Sequence, residues 1–278
     1  LLLRPYLFTA AAVLGTRLLL AVVEQRSFRD HGGEVVLTYL FGLNAEGGGT
    51  FLGVKVDSVS ILWFILALYG GWILYNAIRW LKSELLCFLC SAACMLSGWL
   101  LTLISGVWPY CFPMMLMAAG FLWAGDFIRK HDLLERRLPV WCWLVVLIPA
   151  VCSAAFGNVN FVMGVWKAGI LDVLGVCCWG FLFLRSYSLY MRRGCRGRIP
   201  ALLEEVGFHS IWIVCLHAYE KIIVPWYRIP AMIPEQPWLG ICLCMAARCV
   251  LMYVLYRIVL FVMEKLRQRR KPKYILTD

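Results

Sequence analysis

Long apolar runs separated by short charged segments dominate this chain. Eight of them lie near twenty residues, at 6–23, 59–81, 85–105, 110–128, 139–155, 168–190, 207–226 and 239–263. At 1.5 Å per residue, runs of this length match a hydrocarbon core about 30 Å thick. A strand of a membrane barrel would alternate apolar and polar residues over about ten positions. Residues 60–69, Ser-Ile-Leu-Trp-Phe-Ile-Leu-Ala-Leu-Tyr, are instead apolar on nearly every side, which predicts helices. The fifth run is the weakest, being short and bracketed by Pro139 and Pro149. The pattern therefore predicts an all-α integral membrane protein, a polytopic bundle of about eight transmembrane helices forming one domain over residues 1–278.

Composition agrees with the pattern. Of 278 residues, 62% are hydrophobic and 15% charged, with a mean hydropathy of +0.77. A water-soluble domain carries roughly a quarter of its residues charged, so this chain lacks the polarity to cover a soluble surface of its size. Its charges also choose sides. If the eight runs alternate in direction, the side holding both ends has 17 lysines and arginines, counting Arg79 near the end of the second run, and the other side has 5. By the positive-inside rule both ends are expected in the cytoplasm of a cell-membrane, multi-pass protein. The same distribution explains the net charge of +11 without nucleic acid. A nucleic-acid binder would need a folded, water-exposed basic face, whereas these residues sit in short loops and in a basic tail, 264–278, suited to anionic lipid headgroups.

Most connections are short, but the segment 24–57 on the opposite side is long, Gly-rich at 47–49 and charged, with Glu24, Asp30, His31, Glu34, Glu46 and Asp57. Connections of that length commonly carry function. Residues 35–43 are expected to form a short interfacial helix or lid, or else an ordinary solvated cap. The 13 cysteines lie mostly within or beside apolar runs, where thiols pack as small hydrophobes. Cys87 and Cys90 have the spacing of half a zinc site, but no second ligand pair lies at similar depth, so no metal is expected.

Chemistry concentrates in the seventh run. His217, Glu220 and Lys221 are spaced i,i+3 and i,i+4, so a continuous helix would carry imidazole, carboxylate and ammonium on one face, with His217 about 15 Å from Gly207. Ionisable groups at membrane depth are costly unless paired or facing a polar cavity, which makes them functional candidates. Arg17, within the first run, and Arg248, about ten residues into the eighth, are candidates to converge with Glu220. His209 reads as a headgroup-level or capping residue, and Asp126 lies near enough to an interface to need no special role. A histidine can move a proton between a hydroxyl and a leaving group while a carboxylate orients it. Arginines can hold phosphate or a developing oxyanion. Acyl transfer fits this inventory, and so does proton-coupled transport.

Several segments resemble the acyltransferase 3 family, in particular its fucose and polysaccharide O-acetylase-like branch. Trp63-Phe-Ile-Leu-Ala-Leu-Tyr69 is similar to the Leu-Trp-Phe-Leu-x-Ala-Leu-Phe of that family. Arg4-Pro5-Tyr6 resembles the Arg-Leu-x-x-Pro-Tyr after its third helix, and residues 109–130, with Ala119-Gly120 inside, resemble another of its helices. Val206-Gly-Phe-His-Ser210 followed by Leu216-His217 is similar to its late Ile-Gly-x-x-Ser…Leu-His. The resemblance spans nearly the whole chain through individually loose motifs whose order agrees. It implies transfer of an acyl group, usually acetyl from acetyl-CoA or another acyl-CoA, to a hydroxyl of a cell-envelope sugar or polysaccharide. It matches Ser210 and His217 to family positions. The family's Val-x-x-Gly-His segment, whose histidine serves as general base in the first helix, has no counterpart here, and the first two or three helices of the family are expected to precede this chain. The alternatives are a transporter of glycan or lipid intermediates and a non-catalytic membrane domain. The expected site is His217 and Glu220 as catalytic residues, with Arg17 and Arg248 holding the acyl-CoA donor.

Overall fold

The computed structural model describes residues 3–23, 28–104, 106–161, 164–194, 197–226 and 228–269. Eleven α-helices occur among them: α1 Leu3–Val23, α2 Phe28–Leu40, α3 Trp63–Arg79, α4 Glu84–Thr102, α5 Phe112–Lys130, α6 Val140–Phe156, α7 Ile170–Arg192, α8 Arg198–Phe208, α9 Ser210–Ile223, α10 Arg228–Ala231 and α11 Pro237–Arg269. Two antiparallel hairpins complete the fold, β1 Asn44–Phe51 with β2 Val54–Ser58, and β3 Val159–Asn160 with β4 Val165–Trp166. Glu24, Arg26, Cys195, Arg196 and the tail from Arg270 onward lie outside the described residues.

Among the described residues, five helical segments are long and apolar enough to cross a membrane: Ser60–Arg79, Glu84–Thr102, Pro109–Lys130, Ile170–Arg192 and Pro237–Val262. The fold is that of a polytopic membrane helical bundle. A sixth span is formed if α8 and α9 act as one, but the two are bent by 72°. The continuous apolar run at 207–226 thus contains a break the pattern does not announce. His209 sits at that break, ending α8 and preceding α9; its side chain does not cap the start of α9, but Nδ1 contacts the Glu205 carbonyl oxygen in the last turn of α8 at 3.1 Å, and the Tyr256 hydroxyl at 3.0 Å. The fifth run is α6, 17 residues long, with Pro139 at its N-cap and Pro149 inside it.

Helix packing follows membrane rules. Water drives no association between apolar helices within lipid, so contact is secured by small residues that let backbones approach. Between α3 and α5, a Cβ on Gly71 would stand 2.6 Å from the Ala118 Cβ, and between α4 and α5 one on Gly120 would stand 2.5 Å from the Met95 Cε. These three helices form a tight slab.

From Phe28 onward the predicted long connection is structured. α2 ends at Gly42, whose φ of 54° is the left-handed conformation that terminates a helix. Asp57 N–H donates to Thr38 Oγ1 at 3.2 Å, tying the first hairpin to α2. Tyr110 N–H donates to the Phe41 carbonyl at 2.6 Å, and the Cys111 thiol to the Gly42 carbonyl at 3.3 Å, which seats this cap on the start of α5. The main core lies beneath the cap. Val13 of α1, Val35 and Tyr39 of α2, Ile65 of α3 and Cys215 and Ala218 of α9 are buried together there, so α9 is held against α1 and the start of α3.

Candidate functional site

The end of α9 determines the site. Pro225 lacks an N–H and disfavours helical backbone in the residue before it. Val224 is accordingly extended, with φ −96° and ψ 118°, and its N–H caps the Glu220 carbonyl at 2.9 Å. The chain then folds back so that the Trp226 indole N–H donates to Glu220 Oε2. Arg248 of α11 approaches from the other side, donating through Nη2 to Glu220 Oε1 at 2.8 Å, with its guanidinium 5.4 Å above the Trp226 ring. His217 completes the group, its Nδ1 lying 2.7 Å from Glu220 Oε1.

The Glu220 side chain is wholly buried, while those of His217 and Arg248 retain 37% and 27% accessibility. The roles follow from the valences. A carboxylate shared with a guanidinium is an acceptor, so Nδ1 of His217 carries the proton directed at it. In the neutral imidazole Nε2 is then a free acceptor, and it has no hydrogen-bond partner among the described residues. Arg248 has further N–H donors beyond the one given to Glu220. A fixed carboxylate thus orients an imidazole whose other nitrogen is available to a proton-bearing substrate, beside a cation able to receive an oxyanion or a phosphate.

The remaining predicted residues divide. Lys221 is exposed, because one step along α9 turns it away from the buried face that holds Glu220. Ser210, the first residue of α9, is exposed. Arg17 does not join the group. It forms an ion pair with Asp57 Oδ2 at 3.0 Å and lies 5.8 Å over the Tyr39 ring, while its neighbour Thr16 meets the Tyr219 hydroxyl at 3.3 Å. The structure therefore brings His217, Glu220 and Arg248 together and commits Arg17 to the cap.

Asp126, to which the sequence assigned no special role, and two groups it did not single out are also engaged. Asp126 is a buried carboxylate that accepts from the Tyr75 hydroxyl at 2.6 Å and pairs with Arg129 at 2.7 Å and Lys130 at 3.1 Å. Arg185 lies within the sixth run; it donates to the carbonyls of Leu133 and Arg136 and so fastens the α5–α6 link to α7. Asp172, fully buried in the first turn of α7, accepts from Ser153 Oγ and from the Ala168 N–H, both at 2.8 Å. Each of these engages groups that fix one element to another. No group of three or more His, Cys, Asp and Glu side chains able to hold a metal occurs among the described residues, and the Cys87 thiol donates to the Ile78 carbonyl at 3.4 Å.

No protein-family model, curated protein or solved structure matches this chain. The site's meaning rests on its own chemistry.

Proposed function

We propose that this chain is part of a membrane O-acyltransferase, moving an acyl group, in the simplest case acetyl, from acyl-CoA to a hydroxyl of a cell-envelope sugar or glycan. The observation that carries this reading is the His217–Glu220 pair beside Arg248, in which Nε2 is the open valence. The acceptor hydroxyl oxygen attacks the thioester carbonyl carbon, its proton passes towards imidazole nitrogen, and the departing CoA sulfur takes up a proton as the C–S bond breaks. Glu220 holds the imidazole in the required tautomer, and His217 orients the acceptor and assists that transfer. By the resemblance, the principal general base of such an enzyme is a further histidine, in a Val-x-x-Gly-His segment. Arg248 stabilises the carbonyl oxygen as it becomes anionic, or holds a donor phosphate. Arg17 supports the site through the cap.

The eight-span topology with both ends cytoplasmic belongs to the same proposal. It puts the Glu220 end of α9 on the envelope side, with CoA entering from the cytoplasm. Vesicles carrying the full-length protein, supplied with radiolabelled acetyl-CoA and envelope glycan, are expected to form labelled glycan. Glycan that crosses the vesicle wall without gaining label would overturn the reading in favour of the second one, proton-coupled transport of a glycan intermediate. The 72° bend between α8 and α9 is the observation that favours that alternative, because broken helices are a recurrent feature of transporters.

A further inference from the structure

A second region, walled by α3 and α5, carries features that the acid–base cluster does not explain. Between α3 and α5 lies a groove of about 200 Å³, lined by Phe64, Ala67 and Leu68, by Met114 and Leu122, and by Phe161 of the second hairpin. Its wall is almost entirely hydrocarbon and aromatic. At its hairpin end is a smaller cavity of about 90 Å³ lined by Asn44, Thr102, Trp108, Cys111 and Gly164. Met114 belongs to both walls, so one flexible thioether side chain stands between the apolar space and the more polar one.

Three indole N–H groups around this region are buried without an acceptor among the described residues: those of Trp99, Trp108 and Trp166. Buried donors are nearly always satisfied. Trp108 lines the smaller cavity; Trp166 packs edge-on against Phe161 with ring centroids 5.0 Å apart; Trp99 packs in the same cluster as Met114 and Phe161. The region therefore offers donors without acceptors beside an apolar slot, the complement of a molecule that has ester oxygens at one end and a hydrocarbon chain at the other.

We infer that this groove is a binding site for one acyl chain of a bilayer phospholipid, with the ester oxygens of that lipid lying in the cavity at Trp108. Three observations select this occupant. The groove opens between two membrane-crossing helices, where hydrocarbon is the surrounding solvent. The polar cavity lies at the ends of α4 and α5, beside the first hairpin, which is the depth of a lipid's ester groups. The unpaired groups are all donors, and a glycerol ester supplies only acceptors. The binding is independent of acyl transfer and holds whichever chemistry α9 performs.

Photolabelling tests this directly. The full-length protein is reconstituted in phosphatidylcholine vesicles containing a trace of phosphatidylcholine with a diazirine in one acyl chain, irradiated, digested and mapped by mass spectrometry. Label is expected to concentrate on peptides carrying Phe64, Leu68, Leu122 and Phe161, and to saturate as probe is added. Leu122→Trp, which fills the groove, should lower that labelling at least fivefold while leaving unchanged the label on Phe88 and Leu96, exposed residues of α4. Trp108→Phe should lower occupancy severalfold without affecting α4. Labelling of the wild-type protein that rises linearly with probe and follows exposure alone around the bundle would overturn the proposal, and this arm is decisive even if the filling variant does not fold.

Discussion

Glu220 and Asp126 are both buried carboxylates on membrane helices, and they differ in what their partners leave over. Asp126 is met by a tyrosine hydroxyl from α3 and by two cations of its own helix that reach outward, with side-chain accessibilities of 79% for Arg129 and 50% for Lys130. These partners tie Asp126 to α3 and to its own helix end. Glu220 is met by Arg248, Trp226 and His217, and the imidazole retains Nε2. Burial of charge alone thus does not distinguish an anchor from a site. An anchor ends its hydrogen-bond chain at structural groups, whereas a site ends it at a group able to exchange a proton.

The largest expected effect tests the Glu220 side of this contrast. Glu220→Gln strips the charge while Arg248 remains, and leaving one member of a buried ion pair uncompensated costs about 3–5 kcal/mol. Thermal unfolding in detergent should show this loss, accompanied by loss of acyl transfer. Asp126→Asn should cost less, about 1–3 kcal/mol from the weakened Tyr75 hydrogen bond, since its cations are largely exposed and screened. Its acyl transfer per folded molecule should stay within about twofold of wild type; a hundredfold drop would erase the distinction between the two carboxylates.

Arg17→Ala sharpens the account at the cap. The Arg17–Asp57 pair is partly exposed, so its contribution is about 1 kcal/mol or less and should shrink as salt is raised. A large loss of donor affinity in the same variant, read from the acetyl-CoA dependence of the rate, would return Arg17 to the donor site. Tyr39→Phe should have the smallest effect. Burial pushes the Tyr39 phenol up, Arg17 pulls it down and Asp57 raises it, the first effect being the largest. The folded protein therefore keeps its proton where the unfolded chain loses it, and this contribution, complete below about pH 10, disappears as pH rises through the folded value. The hydroxyl is also buried without a hydrogen-bond partner among the described residues. Replacing it should leave stability at neutral pH unchanged or slightly higher and flatten the alkaline fall, as measured by melting between about pH 9 and 11.

Apolar length alone made five long helices legible, because lipid allows the backbone few alternatives. His217, Glu220 and Arg248 were legible for the same reason, as charges inside runs that otherwise exclude them. Their convergence with Trp226 was not, since it depends on the direction in which Pro225 sends the chain. The pairing of Arg17 with Asp57 was hidden because it joins residues forty apart in the chain, through a hairpin whose first strand is broken by Gly47-Gly-Gly49. The break at His209 falls in an unbroken apolar run, and the burial of Asp126 depends on Tyr75, fifty-one residues earlier. Sequence spacing reports neighbours on a helix well and contacts between helices poorly.

The most direct measurement is the transfer of radiolabel from acetyl-CoA to envelope glycan by vesicles holding equal amounts of folded full-length wild-type and His217→Ala protein. The variant is predicted to lose about 10²–10⁴-fold in rate, the range for removing a proton-transfer group, with its melting temperature nearly unchanged. A folded variant that transfers label at the wild-type rate would contradict the role assigned to the His217–Glu220 pair.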